Sequence, residues 1–543
     1  MAQGIETATQ SASRPESSSG KHGGNRLGPF LCWAIVFADI GTSVYYVPGI
    51  LYGQRGIGDL AGFFVTLTLG VFLLLALKYA EVTVRFPEGG GVVTVAARGL
   101  NPWFGAVGGM FILVDYFLTS AISSLSGVQY FETLVPGLSP PLLQLGITLV
   151  LVALLGVLNW WGIRESAGVS AVIAVAAFVS DMLILLLIFT KVPPAVMGQV
   201  FRLIFSGEHL TVPVFVTGFA GAFLAFSGLE SISQLSPVMR TPRHKTVTVA
   251  LSLVVITVGI TSPLLTIFST VLLTHPKLML QTGLYGLPPG YTNIANPDVL
   301  SRLENQFISL LGYAAGGRLL LVLTAVTAST LLVFASNTAI IGAYHVFLAL
   351  SRMQFFPKVV ERISKRRGTP YISILLATAI PMLVLIAVRG NITILGELYA
   401  FGLLGAFSLT CISLDVIRWR ERRDGTPFVV DEHETDEGTH VTSSRLGSLL
   451  QEHLDPQTVA RLRALRERFT SRLSAIAAQT SPVRSALSHL WPSVKFYLGI
   501  FTTVLVVGAW GVNLVSKPLA TAFGGTLTVL GVGISVVHYN RQR

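Results

Sequence analysis

Apolar runs of about 20 residues, separated by short polar stretches, recur along the whole chain and predict roughly twelve membrane-crossing helices. They fall near 29–52, 59–82, 103–132, 140–161, 167–191, 211–236, 246–274, 317–350, 371–388, 393–416, 494–514 and 518–539. Short loops carry the orientation. Arg240, Arg243 and Lys245 follow the sixth span, and Arg352, Lys358, Arg362, Lys365, Arg366 and Arg367 follow the eighth. Such loops stay on the cytoplasmic side. The odd-numbered loops are poorer in basic residues, as at Arg389 after the ninth span and Lys517 after the eleventh. Both termini are therefore expected in the cytoplasm, with the chain in the lipid bilayer of the inner or plasma membrane.

Three stretches stand outside this rhythm. Residues 1–28 are polar with no apolar core of a signal peptide, and read as a disordered cytoplasmic tail. Residues 275–316, containing LYGLPPGYTNIANPDVL, read either as a plain external connection or as a flap over an outward-facing entrance. Residues 417–493 hold an acidic piece, DEHETDEG, and then Leu446, Leu449, Leu450, Leu454, Val459, Leu462 and Leu465 at helical spacing among arginines. That pattern predicts one or two cytoplasmic amphipathic helices, packed on the inner surface or serving regulation or homodimer formation. The expected layout is then a tail (1–28), a transport core (29–416), the charged segment (417–493) and two extra transmembrane helices with a short tail (494–543).

Composition agrees with a polytopic membrane protein: 52% of residues are hydrophobic and only 12% charged, with mean hydropathy +0.67. A formal charge of +11 would suit a nucleic-acid binder, but the basic residues gather in loops between apolar runs, so no nucleic-acid partner is expected. Cys32 and Cys411 lie inside apolar runs without metal-ligand spacing, and imply neither disulfide nor zinc site. No cofactor is implied. No nucleophile–base pair or metal-ligand cluster suggests an enzyme. The PEGGGVV run at 87–93 lacks the lysine of a phosphate loop and reads as a tight turn beside the second span.

Chemistry enters with three acids inside apolar runs: Asp39, Asp115 and Glu230. A carboxylate at the centre of a membrane helix costs about 2.5 to 3.5 kcal/mol on insertion scales, which calls for a compensating role. Asp39 precedes Gly41-Thr42-Ser43, with Pro48-Gly49 beyond; Glu230 follows Ser227-Gly228-Leu229. Both are poor places for a continuous helix. Five spans separate the two interruptions, so they occupy matching positions in two halves of opposite orientation. Discontinuous helices in such an inverted repeat mark a secondary transporter's site near the midplane. Asp115, Thr119 and Ser123 follow at i, i+4 and i+8 on one helix face, a candidate cation site unless the hydroxyls serve only their own helix. Tyr46 lies about two turns beyond Asp39, where it closes the site or anchors at the interface. The eighth span offers Thr327, Ser329, Thr330, Ser336, Asn337 and Thr338 as coupling-ion oxygens or packing hydroxyls. Asp181 is a candidate proton-relay acid and Glu397 a candidate gating residue, and each can equally pair with a neighbouring helix. His345 reads as structural.

Several pieces, in order, carry a family resemblance: FPEGGGVVTVA, DYFLTSAISSLSG, NWWGIRESAG, FSGLESIS and ASNTAIIGAYHVFLALSRMQFFP. Across nearly all its hydrophobic core the chain resembles the amino acid-polyamine-organocation (APC) superfamily. That implies an all-α, LeuT-like five-plus-five inverted-repeat fold with two additional C-terminal helices. Within it, ADIGTSVYY is similar to the GDIGTSPLY signature of the KUP potassium-uptake permeases, and the other motifs resemble KimA-type potassium importers. Both are proton-coupled potassium carriers, so the resemblance implies potassium and proton as transported ligands, with no metal beyond that monovalent cation. It implies potassium ligands at Asp39, Tyr46, Asp115, Thr119, Ser123, Ser227 and Glu230, and helix breaks at Gly41 and Gly228. Ser227 departs from the KimA-type threonine, though either hydroxyl can ligate. The regulatory domain expected beyond the twelfth span has no counterpart here, so nucleotide regulation does not transfer.

Physical chemistry separates this reading from its runner-up, a proton-coupled amino acid or polyamine permease. Amino-acid permeases of the superfamily offer bare backbone amides at the first helix break to a carboxylate. Here Asp39 adjoins that break, and two like charges 4 Å apart repel by about 4 kcal/mol at effective dielectric 20. Three acids around one univalent cation leave excess negative charge, so one of them is expected to carry a proton. A third reading is a transporter-like receptor or scaffold acting through 417–493.

Overall fold

The computed structural model describes residues 26–162, 167–205, 210–288, 304–425 and 481–542. Among them the chain is all-α and polytopic: eleven helical segments are long and apolar enough to cross a membrane. In order these are Pro29–Gly53, Gly58–Arg85, Pro102–Glu132, Pro141–Trp161, Ala167–Lys191, Val212–Gln234, Arg243–Leu272, Phe307–Arg352, Ile392–Asp424, Val494–Ser516 and Pro518–Arg541. A shorter apolar helix, Tyr371–Ala387, lies where the ninth span was expected. It is counted as the ninth below, and Ile392–Asp424 as the tenth.

Local chemistry sets several boundaries. Prolines open the helices at Pro29, Pro102 and Pro141, where the missing amide hydrogen is no loss. The Asn101 side chain accepts from the amides of Trp103 (2.9 Å) and Phe104 (3.2 Å), capping the third span. Gly162 ends the fourth span in the left-handed conformation, with φ of 77°.

Burial orders the spans. The apolar windows of the first, third and tenth are 83%, 94% and 83% buried, against 28%, 28% and 22% for the fourth, eleventh and twelfth. The first, third and tenth spans therefore occupy the centre, and the fourth, eleventh and twelfth face outward. The third span packs extensively on the eighth and the tenth. Close approach needs small residues: a Cβ on Gly402 of the tenth span would lie 2.7 Å from the Asp115 amide nitrogen.

At one membrane face the helices are tied by ions. Lys78, 2% exposed, donates to Asp415 Oδ1 at 2.8 Å and to Thr503 Oγ1 at 2.8 Å. Glu81 receives Arg85 at 2.8 Å, Arg418 at 2.7 Å and Lys495 at 2.7 Å, while Arg85 also reaches Glu421. These pairs link the second, tenth and eleventh spans. Arg243 and Arg352 sit at the ends of the seventh and eighth spans, and the backbone of Leu27 pairs with Val238 and Arg240 beside the start of the first span.

Several boundaries differ from expectation. The stretch 275–316 is not a loop throughout: Pro276–Met279 is helical, Glu304–Gln306 is a 3-10 turn, and the eighth helix begins at Phe307. Helical geometry is interrupted at Gly317, with φ 67° and ψ −157°, close to the expected start of the span. Buried Asn305 and Gln306 bond to Gln129 and Glu132 of the third span. The tenth helix continues to Asp424, two turns beyond expectation, and the helix containing the eleventh span begins at Ser481. A further short helix, Pro194–Phe205, follows the fifth span. The PEGGG turn leads into a helix over Gly91–Gly99, and Gly89 sits against Pro237 rather than only beside the second span. Residues 1–25, 163–166, 206–209, 289–303, 426–480 and 543 lie outside the described residues, and with them most of the polar tail, part of the NWWGIRESAG motif and the leucine repeat at 446–465.

Candidate functional site

The two helix interruptions meet at the centre, and they differ in kind. In the first span, Gly41 and Thr42 keep right-handed dihedrals, but the hydrogen bonds tighten to i+3 spacing: Thr42 to Asp39, Val44 to Gly41 and Tyr45 to Thr42. The helix resumes at Ser43 and runs through Pro48 to Gly53, so Pro48-Gly49 does not break it. The sixth span is broken outright. Ser227 is extended, with ψ 144°, and Gly228 has φ of 97°, a left-handed value favouring glycine. A Cβ there would lie 2.8 Å from the Ile40 nitrogen and 2.9 Å from Asp39 Cγ. Glycine thus permits the sixth-span backbone to press against the Asp39 turn. Phe72 of the second span stacks on Phe226 at 4.5 Å and holds the chain leading into this break.

All seven ligand candidates are buried groups of the first, third and sixth spans, and contacts or charge interactions link Asp39, Tyr46, Asp115, Thr119, Ser227 and Glu230, whereas Ser123 is buried about two turns beyond Asp115 along the third span. Asp39 is 8% exposed, Asp115 0% and Glu230 3%. The three acids lie within electrostatic reach of one another. Ser231 donates to Asp39 Oδ2. Tyr46 Oη and Ser227 Oγ are 3.3 Å apart, joining the two broken spans. On the third span, Thr119 Oγ1 donates to its own helix at the Asp115 carbonyl (3.0 Å) and lies 2.6 Å from Tyr399 Oη of the tenth span. Among the described residues, Ser123 Oγ, both carboxylate oxygens of Asp115 and Oε2 of Glu230 are buried without a hydrogen bond of ordinary geometry, although Asp115 lies in reach of Glu230 and Tyr399. Leaving such groups unpaired is expensive in a low-dielectric interior.

This arrangement supplies negative charge with carboxylate and hydroxyl oxygens from three spans, and Lys or Arg is not among the hydrogen-bond partners of Asp39, Asp115 and Glu230 among the described residues. Among those residues no group of three His, Cys, Asp or Glu side chains, the three acids included, has the arrangement of a metal centre.

The remaining candidates are placed elsewhere. Asp181 receives the Tyr45 hydroxyl at 3.3 and 3.4 Å on its two oxygens, and Tyr130 donates to the Tyr45 carbonyl at 2.7 Å. Ser336 bonds to Ser120 of the third span, Asn337 accepts from Asn159 of the fourth, and Thr338 donates to Phe334 of its own helix. Each of these three has a packing bond. Glu397 lies within electrostatic reach of Lys517, and exposed His345 lies against Tyr344. Sequence reasoning missed Ser231 and Tyr399. Ser231 adjoins Glu230 and was legible as a hydroxyl beside the break, whereas Tyr399 meets Thr119 across 280 positions of chain without local signature.

Comparisons with known proteins place the chain in a family. The sequence pattern described as Amino acid permease matches residues 27–430. The potassium transporter KimA of Bacillus subtilis is 26% identical over 64% of this chain and 54% of its own, so the chain spans about half the length of that relative. The low-affinity putrescine importer PlaP of Escherichia coli is 27% identical over 65% of this chain and 73% of its own. A probable potassium transport protein Kup of Aeromonas salmonicida is 25% identical over 36% of this chain and 35% of its own. Among solved structures, a manganese transporter mutant from Eremococcus coleocola covers 95% of this chain and 94% of its own at 14% identity and TM-score 0.47. The chain belongs to the amino acid permease family of multi-pass membrane transporters and is a transporter, not an enzyme.

Proposed function

We propose that the protein imports potassium with protons across the plasma membrane, through the site built by Asp39, Tyr46, Asp115, Thr119, Ser123, Ser227 and Glu230. One observation carries this reading: three buried acids have one another as charged neighbours, and among the described residues no Lys or Arg hydrogen-bonds to any of them. A univalent cation neutralises one charge. Repulsion among crowded carboxylates favours protonation of another, which couples proton to cation movement. The proposed transport core is 29–416, with the basic face in the cytoplasm together with both termini and the 417–493 segment.

The second reading is a polyamine or amino acid permease, favoured by the likeness to the putrescine importer. A diamine would also satisfy the acids. Thermal unfolding of the purified protein separates the two, because a ligand that binds only the folded state stabilises it by mass action. Potassium and rubidium should raise Tm in a saturable way, with putrescine and amino acids giving no shift. A shift with putrescine or an amino acid and none with either ion overturns the potassium reading.

A further inference from the structure

A groove of about 430 Å³ opens between the second, seventh and eleventh spans, beside the ionic network and apart from the acid cluster. Its walls include Leu77, Val247, Val494 and Leu498; Lys78 and Thr502 lie deeper, and Arg85, His244 and Lys495 contribute its polar part. Leu77 is 55% exposed and Val494 49%. Both are outward-facing apolar residues, Val494 at the start of the eleventh span and Leu77 about two turns before the end of the second. Apolar walls give water few partners, so acyl chains are the natural filling in a bilayer.

The charges select the headgroup. Glu81 alone faces three cations, Arg85, Arg418 and Lys495. Among the described residues of the network, Lys78, Arg85, Arg418 and Lys495 outnumber the carboxylates of Glu81, Asp415 and Glu421 by one. Lys495 is about half exposed, and His244 and Lys245 are exposed at the start of the seventh span. A neutral lipid would leave this surplus unanswered, and a soluble anion would leave the apolar walls bare. Basic pockets between transmembrane helices suit anionic lipid headgroups.

We propose that this groove binds one anionic phospholipid, its acyl chain along Leu77, Val247 and Leu498 and its phosphate at Lys495 and the start of the seventh span. The bound lipid ties the eleventh span to the second and seventh. The inference does not depend on which substrate the central site carries.

Thermal unfolding of the full chain in neutral detergent tests it, with phosphatidylglycerol, phosphatidylcholine and glycerol phosphate added in turn. Phosphatidylglycerol should raise Tm by several degrees, and the other two by little. Lys495→Gln, which removes the half-exposed cation, and Leu498→Trp, which fills the groove, should each abolish most of that rise. Native mass spectrometry should show one phosphatidylglycerol retained by the wild type and lost from both variants. An equal rise with phosphatidylcholine, any comparable rise with glycerol phosphate, or a full phosphatidylglycerol rise in both variants overturns the proposal. Should a variant fail to fold, the three additives on the wild type still decide between lipid, headgroup and nonspecific effects.

Discussion

Glu230 and Glu81 are both largely buried acids in one helix bundle, and the protein treats them in opposite ways. Glu81 meets Arg85, Arg418 and Lys495 within 2.8 Å, so its charge is neutralised by the chain itself. Glu230 has Asp115 and Asp39 for charged neighbours, and among the described residues no cation is bonded to it. A fixed ion pair holds helices in place; in the proposed reading, carboxylates without a fixed cation are balanced by a proton or a cation that comes and goes. Burial alone does not separate the two cases, and the sign of the neighbours does.

The largest expected effect follows from removing charge at the centre. Glu230→Gln and Asp39→Asn keep side-chain shape and relieve repulsion, so each should abolish cation uptake while Tm stays level or rises. Uptake near wild type in both would erase the distinction between the two regions. Glu81→Gln should do the reverse. It leaves Arg418 short of its main partner, and breaking a buried ion pair costs on the order of 3 kcal/mol, so Tm should fall while protein that remains folded still transports. Unchanged Tm would show the network to be ornamental. Asp181→Asn should have the smallest effect, within a few-fold on uptake, because an amide oxygen still accepts from Tyr45. Complete loss of uptake there would move the proton site to the fifth span.

Much of this was legible in the residues. Asp39, Asp115 and Glu230 stand out because a charge within an apolar run needs a reason, and Gly228 because glycine tolerates the left-handed backbone its break requires. The mildness of the first interruption was not legible, since a shift to i+3 hydrogen bonds at Gly41-Thr42 leaves no compositional trace and Pro48 is accommodated inside the resumed helix. Long-range partners were hidden for a different reason. Lys78 and Asp415 each look like ordinary charges near a span end, and only packing of the second span on the tenth makes them a pair across 337 positions. Ser336 and Asn337 showed the converse: oxygen-rich sequence that pairs with the third and fourth spans.

The most direct measurement is uptake of radioactive rubidium into proteoliposomes with lumenal pH followed at the same time, for the wild type, Glu230→Gln and Glu81→Gln side by side. We predict that an inward proton gradient drives rubidium accumulation with lumenal acidification in the wild type and in folded Glu81→Gln, unaffected by excess putrescine, and that Glu230→Gln shows neither flux. Rubidium accumulation by Glu230→Gln equal to that of the wild type, or putrescine uptake in place of rubidium uptake by the wild type, would contradict it.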